Sequence, residues 1–571
     1  TKTIDFTGQT TLDVALEPQT EALEDVVVVG YGTVKKSDLT GSVSSIDGEA
    51  IKEIPVTSVD QAIQARAPGV QVTQTSAAPG GGVSVRIRGS NSINSGSEPL
   101  YVVDGFPLYP DNGAYGAGGN RQSANVMASI NPNDIESIEV LKDASATSIY
   151  GSRGSNGVVL ITTKRGKAGK SKISYEGSYS SQTMSNPIEV LNGAEYATYL
   201  NILEQSQGGA PIYSQEQINS FGEGTDWLEE VTRSGYIQNH QITFSGGSEN
   251  NKYALTGNYH DNAGIIKKTS FKRYGIRLNL DNSAFNKFLD VRSSWSYNRT
   301  ESNNAPTDRG GPGGTIITAL GLDPTAPVYN EDGTYALASY DGRFLINPLQ
   351  ELEFATDMDI TNRVLGNTTF TFNITDHLKA KTSIGADILT VNRTSFFPVG
   401  NTRIGRDNSG ELTLANRNSA NILNENLITY TNEFEGGHFI DAVVGYTYQR
   451  EVNKFFSSTT RGITAASVDQ ATLQGGPDIL SPFSSRREWL LESVLGRVNY
   501  NYDSRYLLTL TFRRDGSSRF GAQNKWANFP SVALGWNIAN ESFFENRVIS
   551  GFSSEALVVE IPPLLPFTFE K

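Results

Sequence analysis

The chain has 571 residues, with 47 Lys plus Arg against 61 Asp plus Glu, so its formal charge is -14 and a general nucleic-acid-binding surface is excluded. With no cysteine there are no disulfides, thiolate metal sites or thiol nucleophiles, and four scattered histidines (His240, His260, His377, His438) do not suit a zinc centre, so neither metal nor cofactor is expected. Glycine (56) and aromatics (10%) are frequent and charge is sparse (19%), which favours sheet and turn, and no apolar run approaches the roughly 18 residues of a membrane-spanning helix.

A membrane β-barrel stays open, because strands that alternate lipid-facing and lumen-facing side chains leave the mean hydropathy low, here -0.34. In chain order, residues 1–20 show two short alternating pieces (Ile4, Phe6; Leu12, Val14, Leu16), as in the last strands of a small β-domain. Residues 21–33 place the acids Glu21, Glu24 and Asp25 before Val26, Val27, Val28 and Val29, with Gly30-Tyr31-Gly32 after them. β-Branched propensity makes the valines a buried strand. The absence of a nearby hairpin partner also suits a strand that adds to another protein's sheet edge.

Residues 34–167 have the pattern of an α/β unit with glycine-rich corners. Val83, Val85 and Ile87 alternate, which puts Arg86 and Arg88 on the opposite face. A strand over residues 100–103 ends in an Asp104-Gly105 turn, and Asn131-Pro132 opens a short helix with acids in its first turn that gives way to a strand, across Asp134, Glu136 and Glu139. Arg153 lies in a Gly-rich corner before the strand Val158-Val159-Leu160-Ile161.

From 168 to 550, period-two apolar runs predict about twelve antiparallel strands of about ten residues each. They include Ile173-Tyr175-Tyr179, Tyr274-Ile276-Leu278-Leu280 and Tyr506-Leu508-Leu510-Phe512. Tight turns such as 373–377 and 503–504 alternate with polar stretches near 303–315 and 401–420, so the two ends of the sheet differ. Residues 551–571 lose the pattern, and a shifted reading frame would account for that tail.

The phrases VVVVGYGT, APGVQV, SVRIRGSNS, PLYVVDGFP and INPNDIESIEVLKDASATSIYGSRGSNGVVLITTKRG stand in an order and spacing that resemble the TonB box and plug of TonB-dependent outer-membrane transporters of the SusC/RagA type. The resemblance implies a mainly β protein: an α/β plug followed by an antiparallel transmembrane β-barrel, 22-stranded when complete. Residues 1–20 then resemble the end of a carboxypeptidase-regulatory-like domain. It further implies residence in the bacterial outer membrane with a periplasmic N-terminus, and import of an oligosaccharide or oligopeptide. The partners implied are TonB energised by ExbB and ExbD, a SusD-like lipoprotein, and a dimer of transporter–lipoprotein pairs. Asp25, Val26, Val27, Val28 and Val29 would pair with TonB. Arg86, Arg88, Asp104, Glu136 and Arg153 would hold the plug to the barrel wall, so alanine at Arg86 and Arg88 is expected to raise passive permeability; ordinary polar satisfaction at a wet interface is the rival reading. A signalling or adhesion receptor on the same scaffold and an inactive fragment are the alternatives.

No enzyme is expected. Gly169-Lys170-Ser171 lacks the glycine of a phosphate loop five residues earlier, where Lys164 stands, and the acid groups at Asp226, Glu229, Glu230 and at Glu351, Glu353, Asp357, Asp359 suit solvated loops. Substrate contacts are unassigned; residues 109–120, rich in glycine, are a candidate outward loop.

Overall fold

The computed structural model describes residues 26–30, 32–35, 43–52, 56–89, 96–108, 125–304, 314–340, 343–345 and 347–541. The expectations for residues 1–25, 109–120 and 551–571 therefore lie outside the described residues.

The valine strand has a partner after all. β1 (Val26–Val29) pairs antiparallel with β2 (Gly32–Lys35), Val29 standing opposite Gly32, and Gly30 turns the chain at φ +61°. This corrects the expectation of an unpartnered strand, and the reason is local: glycine enters the left-handed region without a Cβ clash, which closes a tight hairpin.

The unit that follows is centred on buried, continuous apolar runs at 100–103, 106–108 and 158–161, as strands covered on both faces must be. Its elements are β3 (Val43–Asp47), α1 (Gly48–Lys52), α2 (Val59–Ile63), β4 (Val70–Gln74), β5 (Val83–Ile87), β6 (Leu100–Val103), β7 (Phe106–Leu108), β8 (Ile135–Leu141) and β9 (Val158–Thr163). Five of these strands form one sheet in the order β3-β8-β9-β6-β7, with β6 and β9 parallel, while β4 and β5 form a separate pair. The helix expected near Asn131 is only a three-residue turn, Pro132–Asp134, because the β-branched and apolar residues from Ile135 onward pair with β3 and β9 instead. Glu136 and Glu139 thus lie on β8.

Beyond β9 come β10 (Gly169–Gln182), β11 (Gly235–Gly247), β12 (Asn251–Ala263), β13 (Ser270–Ala284), β14 (Leu289–Asn303), the small pair β15 (Ala338–Tyr340) and β16 (Arg343–Leu345), then β17 (Thr356–Asn373), β18 (Leu378–Phe397), β19 (Glu411–Phe434), β20 (His438–Arg461), β21 (Asp478–Ile479), β22 (Phe483–Tyr502), β23 (Tyr506–Ser517) and β24 (Trp526–Trp536). The long strands join neighbour to neighbour in one 13-stranded sheet, β21 being a short addition to β20. Each of the twelve alternating runs falls on one of the long strands. The sheet wraps the plug, and the plug core continues into its wall through Leu365, Leu423, Leu427, Val443 and Leu495.

Polarity is inverted relative to a water-soluble sheet. Inward positions carry buried Arg273, Arg277, Asn279, Arg363, Asp387 and Arg513, whereas Ile276, Ile384, Ile428, Val444, Val498, Leu510 and Leu534 face outward and are exposed. Trp526 and Trp536 both face outward at the two ends of β24. Ten residues at about 3.3 Å each, tilted by about 40°, separate them by about 25 Å along the normal, the height of an outer-membrane apolar band.

Strand length is where the sequence reading fell short. β19 and β20 have 24 residues each rather than about ten, and residues 411–420, taken for loop, are strand. Above the apolar band both faces of the sheet are polar, so alternation fades while the ladder continues. Asn416, for example, donates to Asn392 at 2.6 Å across the strands instead of marking a loop. One rim has short connections (248–250, 285–288, 374–377, 435–437, 503–505) and the other has long ones such as 183–234, 304–355 and 462–482.

Candidate functional site

Two clusters of buried polar groups join the plug to the wall. The first lies at the end of β6, where the Asp104-Gly105 turn (φ +49° and +92°) aims the Asp104 carboxylate at β9 and at the barrel. Its Oδ1 accepts from the Thr163 amide at 3.0 Å and its Oδ2 from the hydroxyls of Thr163 and Ser294, each at 2.7 Å. Arg277 of β13 lies between two plug acids, 3.7 Å from Asp104 Oδ2 and 3.3 Å from Asp134 Oδ2. Four residues earlier on the same inward face of β13, Arg273 donates to the main-chain oxygens of Ala128 (2.8 Å) and Thr57 (3.2 Å) and to Asn131 Oδ1 (3.1 Å). Arg363 of β17 grips Asp387 through two bonds of 2.7 and 2.9 Å and donates to Ser129 of the plug at 2.8 Å. Burial raises the Asp134 carboxyl above the usual range, and Arg277 and Arg273 pull against that rise.

The second cluster holds the segment Ser148–Gly154. Arg513 of β23 donates to the Ile149 carbonyl at 2.7 Å, to Asp515 at 2.6 Å and to Ser493 at 2.8 Å. Asp515 accepts from the Ser152 amide at 3.2 Å, and Arg153 donates to Gln449 of β20 at 2.7 Å. Gly151 sits at φ +62° with its α-carbon against the Arg513 and Asp515 side chains, so any Cβ there would strike them. The β1–β2 hairpin ends at this same place. A Cβ on Gly30 would lie 2.8 Å from Ile149 and 3.6 Å from Arg497 of the wall, so the hairpin turn is tucked against the segment that Arg513 holds.

Of the residues singled out from sequence, Asp104 and Arg153 lie at the plug–wall contact, in different clusters. Arg86, Arg88 and Glu136 do not reach the wall. Arg86 and Glu136 are exposed, and Arg88 pairs within the plug with Asp143. The alternation of β5 explains the correction: a face opposite the plug core points to solvent unless a wall stands there, and the wall stands against other strands. Val26 to Val29 form the hairpin described above, and Asp25 lies outside the described residues. Sequence reading missed Arg273, Arg277, Arg363 and Arg513. Their signal was present in the intervals of the outward runs, since Tyr274, Ile276 and Leu278 facing lipid leave Arg273 and Arg277 facing in.

Asp60 on α2 is a buried acid inside the plug, hydrogen-bonded to Tyr101, and burial pushes its carboxyl up to about 7. Because the folded state keeps a proton that the unfolded chain releases near the ordinary value of 3.8, the contribution of Asp60 to plug stability is most favourable below about pH 4, falls as pH rises to about 7, and is level above that. Asp60→Asn is expected to abolish this slope in pH-dependent thermal unfolding of the full-length protein; an unchanged slope would assign it to other groups.

Among the described residues no group of three or more His, Cys, Asp or Glu side chains could hold a metal ion. What the geometry builds is a seal of hydrogen bonds and ion pairs around a stopper. The pattern of residues 35–158 matches the TonB-dependent Receptor Plug Domain family. Over 550 residues the chain is 38% identical to TonB-dependent receptor P3 of Formosa agariphila, covering 96% of this chain and 52% of that protein. It is 33% identical to TonB-dependent receptor SusC of Bacteroides thetaiotaomicron, covering 94% and 53%. Its fold superposes on the RagAB peptide importer in the open-open state with a TM-score of 0.80 at 26% identity, over 91% of this chain and 60% of that one. The chain is of the SusC/RagA type of TonB-dependent receptor. It spans about half the length of the curated relatives it matches. In this SusC/RagA-type receptor the wall is strand after strand of β-meander, and the plug inside it is held by wall arginines, chiefly to plug carbonyls and acids.

Proposed function

We propose that the complete protein imports a nutrient, an oligosaccharide or an oligopeptide, across the bacterial outer membrane, with its N-terminus in the periplasm. In this reading residues 34–167 are the stopper, residues 168–550 the first part of the barrel and residues 21–33 the tether. TonB, energised by ExbB and ExbD, adds to residues 25–29 as an extra strand, and a SusD-like lipoprotein serves the rim with the long connections. Two such pairs form the assembly. The kinship with TonB-dependent receptor SusC supports dependence on TonB, and the likeness to the RagAB peptide importer supports import.

The observation that carries the reading is the contact of the β1–β2 turn with Ile149, whose carbonyl Arg513 holds. A pull on the tether is delivered first to the segment Ser148–Gly154, where breaking a few directional bonds frees one side of the plug. A bilayer with no nucleotide supply needs work delivered in this mechanical way. Uptake of labelled ligand by cells expressing the full-length protein is expected to fall to background when TonB is deleted; uptake that persists unchanged would overturn the proposal.

A further inference from the structure

The outward face of β20, β22 and β23 changes character at one height. From Ile440 to Tyr448, from Val494 to Tyr502 and from Tyr506 to Phe512, the alternate outward positions carry no charged side chain. Above them the same face carries Arg450 and Lys454 on β20, Arg486, Glu488 and Glu492 on β22, and Arg514 on β23. Trp526 marks the top of the apolar band on β24, and the Arg514 guanidinium lies over its ring, 5.2 Å from the centre, so the charges begin where the band ends. Lys454 stands four residues beyond Arg450, which at a tilt of about 40° adds about 10 Å of height.

Four cations against two acids leave this face at +2 on a chain of formal charge -14. On β12 to β14 the outward cations are matched one to one: Lys272 Nζ lies 4.0 Å from Asp261 and Arg299 Nε 2.8 Å from Glu301. Here one carboxylate serves two guanidinium groups. Glu488 Oε1 accepts from Arg450 Nε at 2.8 Å and Nη2 at 2.5 Å, and its Oε2 accepts from Arg486 Nη2 at 2.6 Å. A guanidinium carries more N–H groups than these bonds use, and the two arginine side chains are 49% and 59% exposed. Lys454, opposite Arg486 across the strands, has no acid partner among the described residues.

We infer that this face binds the phosphate groups of an anionic glycolipid in the outer leaflet. The inference rests on the barrel standing in the outer membrane and not on what is imported. Side chains that point away from the lumen at this level meet lipid headgroups, and headgroup phosphates are anions held at a fixed height. Arginine meets phosphate through paired N–H···O bonds, and Glu488 holds Arg450 and Arg486 side by side to offer them. A second copy of the same face would bring its own surplus cations against these, so like charge opposes that occupant.

The test is a titration of the full-length protein in detergent, read by native mass spectrometry, with three probes: bisphosphorylated lipid A, the same lipid stripped of both phosphates, and inorganic phosphate. The bisphosphorylated lipid is expected to bind about tenfold tighter than the stripped one, or more. Arg486→Gln alone should weaken its binding about fivefold, and Arg450→Gln, Lys454→Gln and Arg486→Gln together about a hundredfold. Lys287→Gln, which removes an exposed charge at the opposite rim, should leave it unchanged. All three cationic side chains are exposed, and thermal unfolding without lipid checks that each variant keeps the fold. Equal binding of the stripped lipid, unchanged affinity in the folded variants, an equal loss in Lys287→Gln, or inorganic phosphate binding as tightly as the lipid would overturn the inference. A doubled mass that the triple variant loses would give the face to a second copy and overturn it as well. Uptake in cells lacking TonB decides import without touching this titration, whose failure leaves import standing.

Discussion

Proline placed in the valine strand of the full-length protein, at whichever of Val27 and Val28 sends its N–H to the open edge, is expected to reduce ligand uptake to the level of cells lacking TonB, while ligand binding at the cell surface stays unchanged. Val28 stands opposite Thr33 and Val27 opposite Val34 in the hairpin. Neighbouring residues of a strand send their N–H groups to opposite edges, so one of these two faces β2 and the other faces the open edge where a further strand can add. Proline removes the donor from its edge and restricts the residue before it. The substitution whose lost donor faces outward should abolish uptake through failed capture. The other should loosen the hairpin and leave capture possible. Uptake at the unsubstituted level in both Val27→Pro and Val28→Pro would show that the valines are not the tether.

The second large effect is expected at Arg277. Arg277→Ala leaves the carboxylates of Asp104 and Asp134 buried at the plug–wall contact without their shared cation. Removing one partner of a buried ion pair destabilises by about 3–5 kcal/mol, because the remaining charge is neither hydrated nor paired. The plug should then admit protease and pass ions, read as raised conductance of the full-length protein in a planar bilayer. Arg277→Lys restores the charge without the two-pronged geometry and should fall between. Arg88→Gln is the control. It parts the exposed Arg88 from the buried Asp143 inside the plug, away from the wall, and should leave conductance unchanged. A silent Arg277→Ala would place the seal elsewhere. The structure thus moves the permeability expectation from Arg86 and Arg88 to the wall.

The site was legible in part. Asp104 could be picked out because an Asp-Gly pair at the end of an apolar strand forces a turn, and a turn aims its carboxylate out of the sheet. Arg86 and Arg88 were chosen on the same kind of argument, from the alternation of β5, and that argument says only which face a side chain takes. It cannot say whether a wall stands opposite that face. The hairpin partner of the valines was missed because Gly32–Lys35 carries a single β-branched apolar residue, Val34, and gives almost no periodic signal of its own.

Alternation of apolar residues determined by itself that this is a mainly β protein with an α/β unit ahead of a meander of long strands, since each alternate side chain meets lipid or lumen whatever the rest of the chain does. The spacing of turns also marked the two unequal rims. Only the tertiary structure decided which inward arginines meet the plug, how far β19 and β20 rise past the apolar band, and where the tether rests. Those depend on strand register and stagger, which bring residues more than a hundred positions apart within 3 Å, as Arg273 and the Ala128 carbonyl are. Period-two patterning is the same at every register that keeps a face, so it carries no record of which row of the wall ends up beside which corner of the plug.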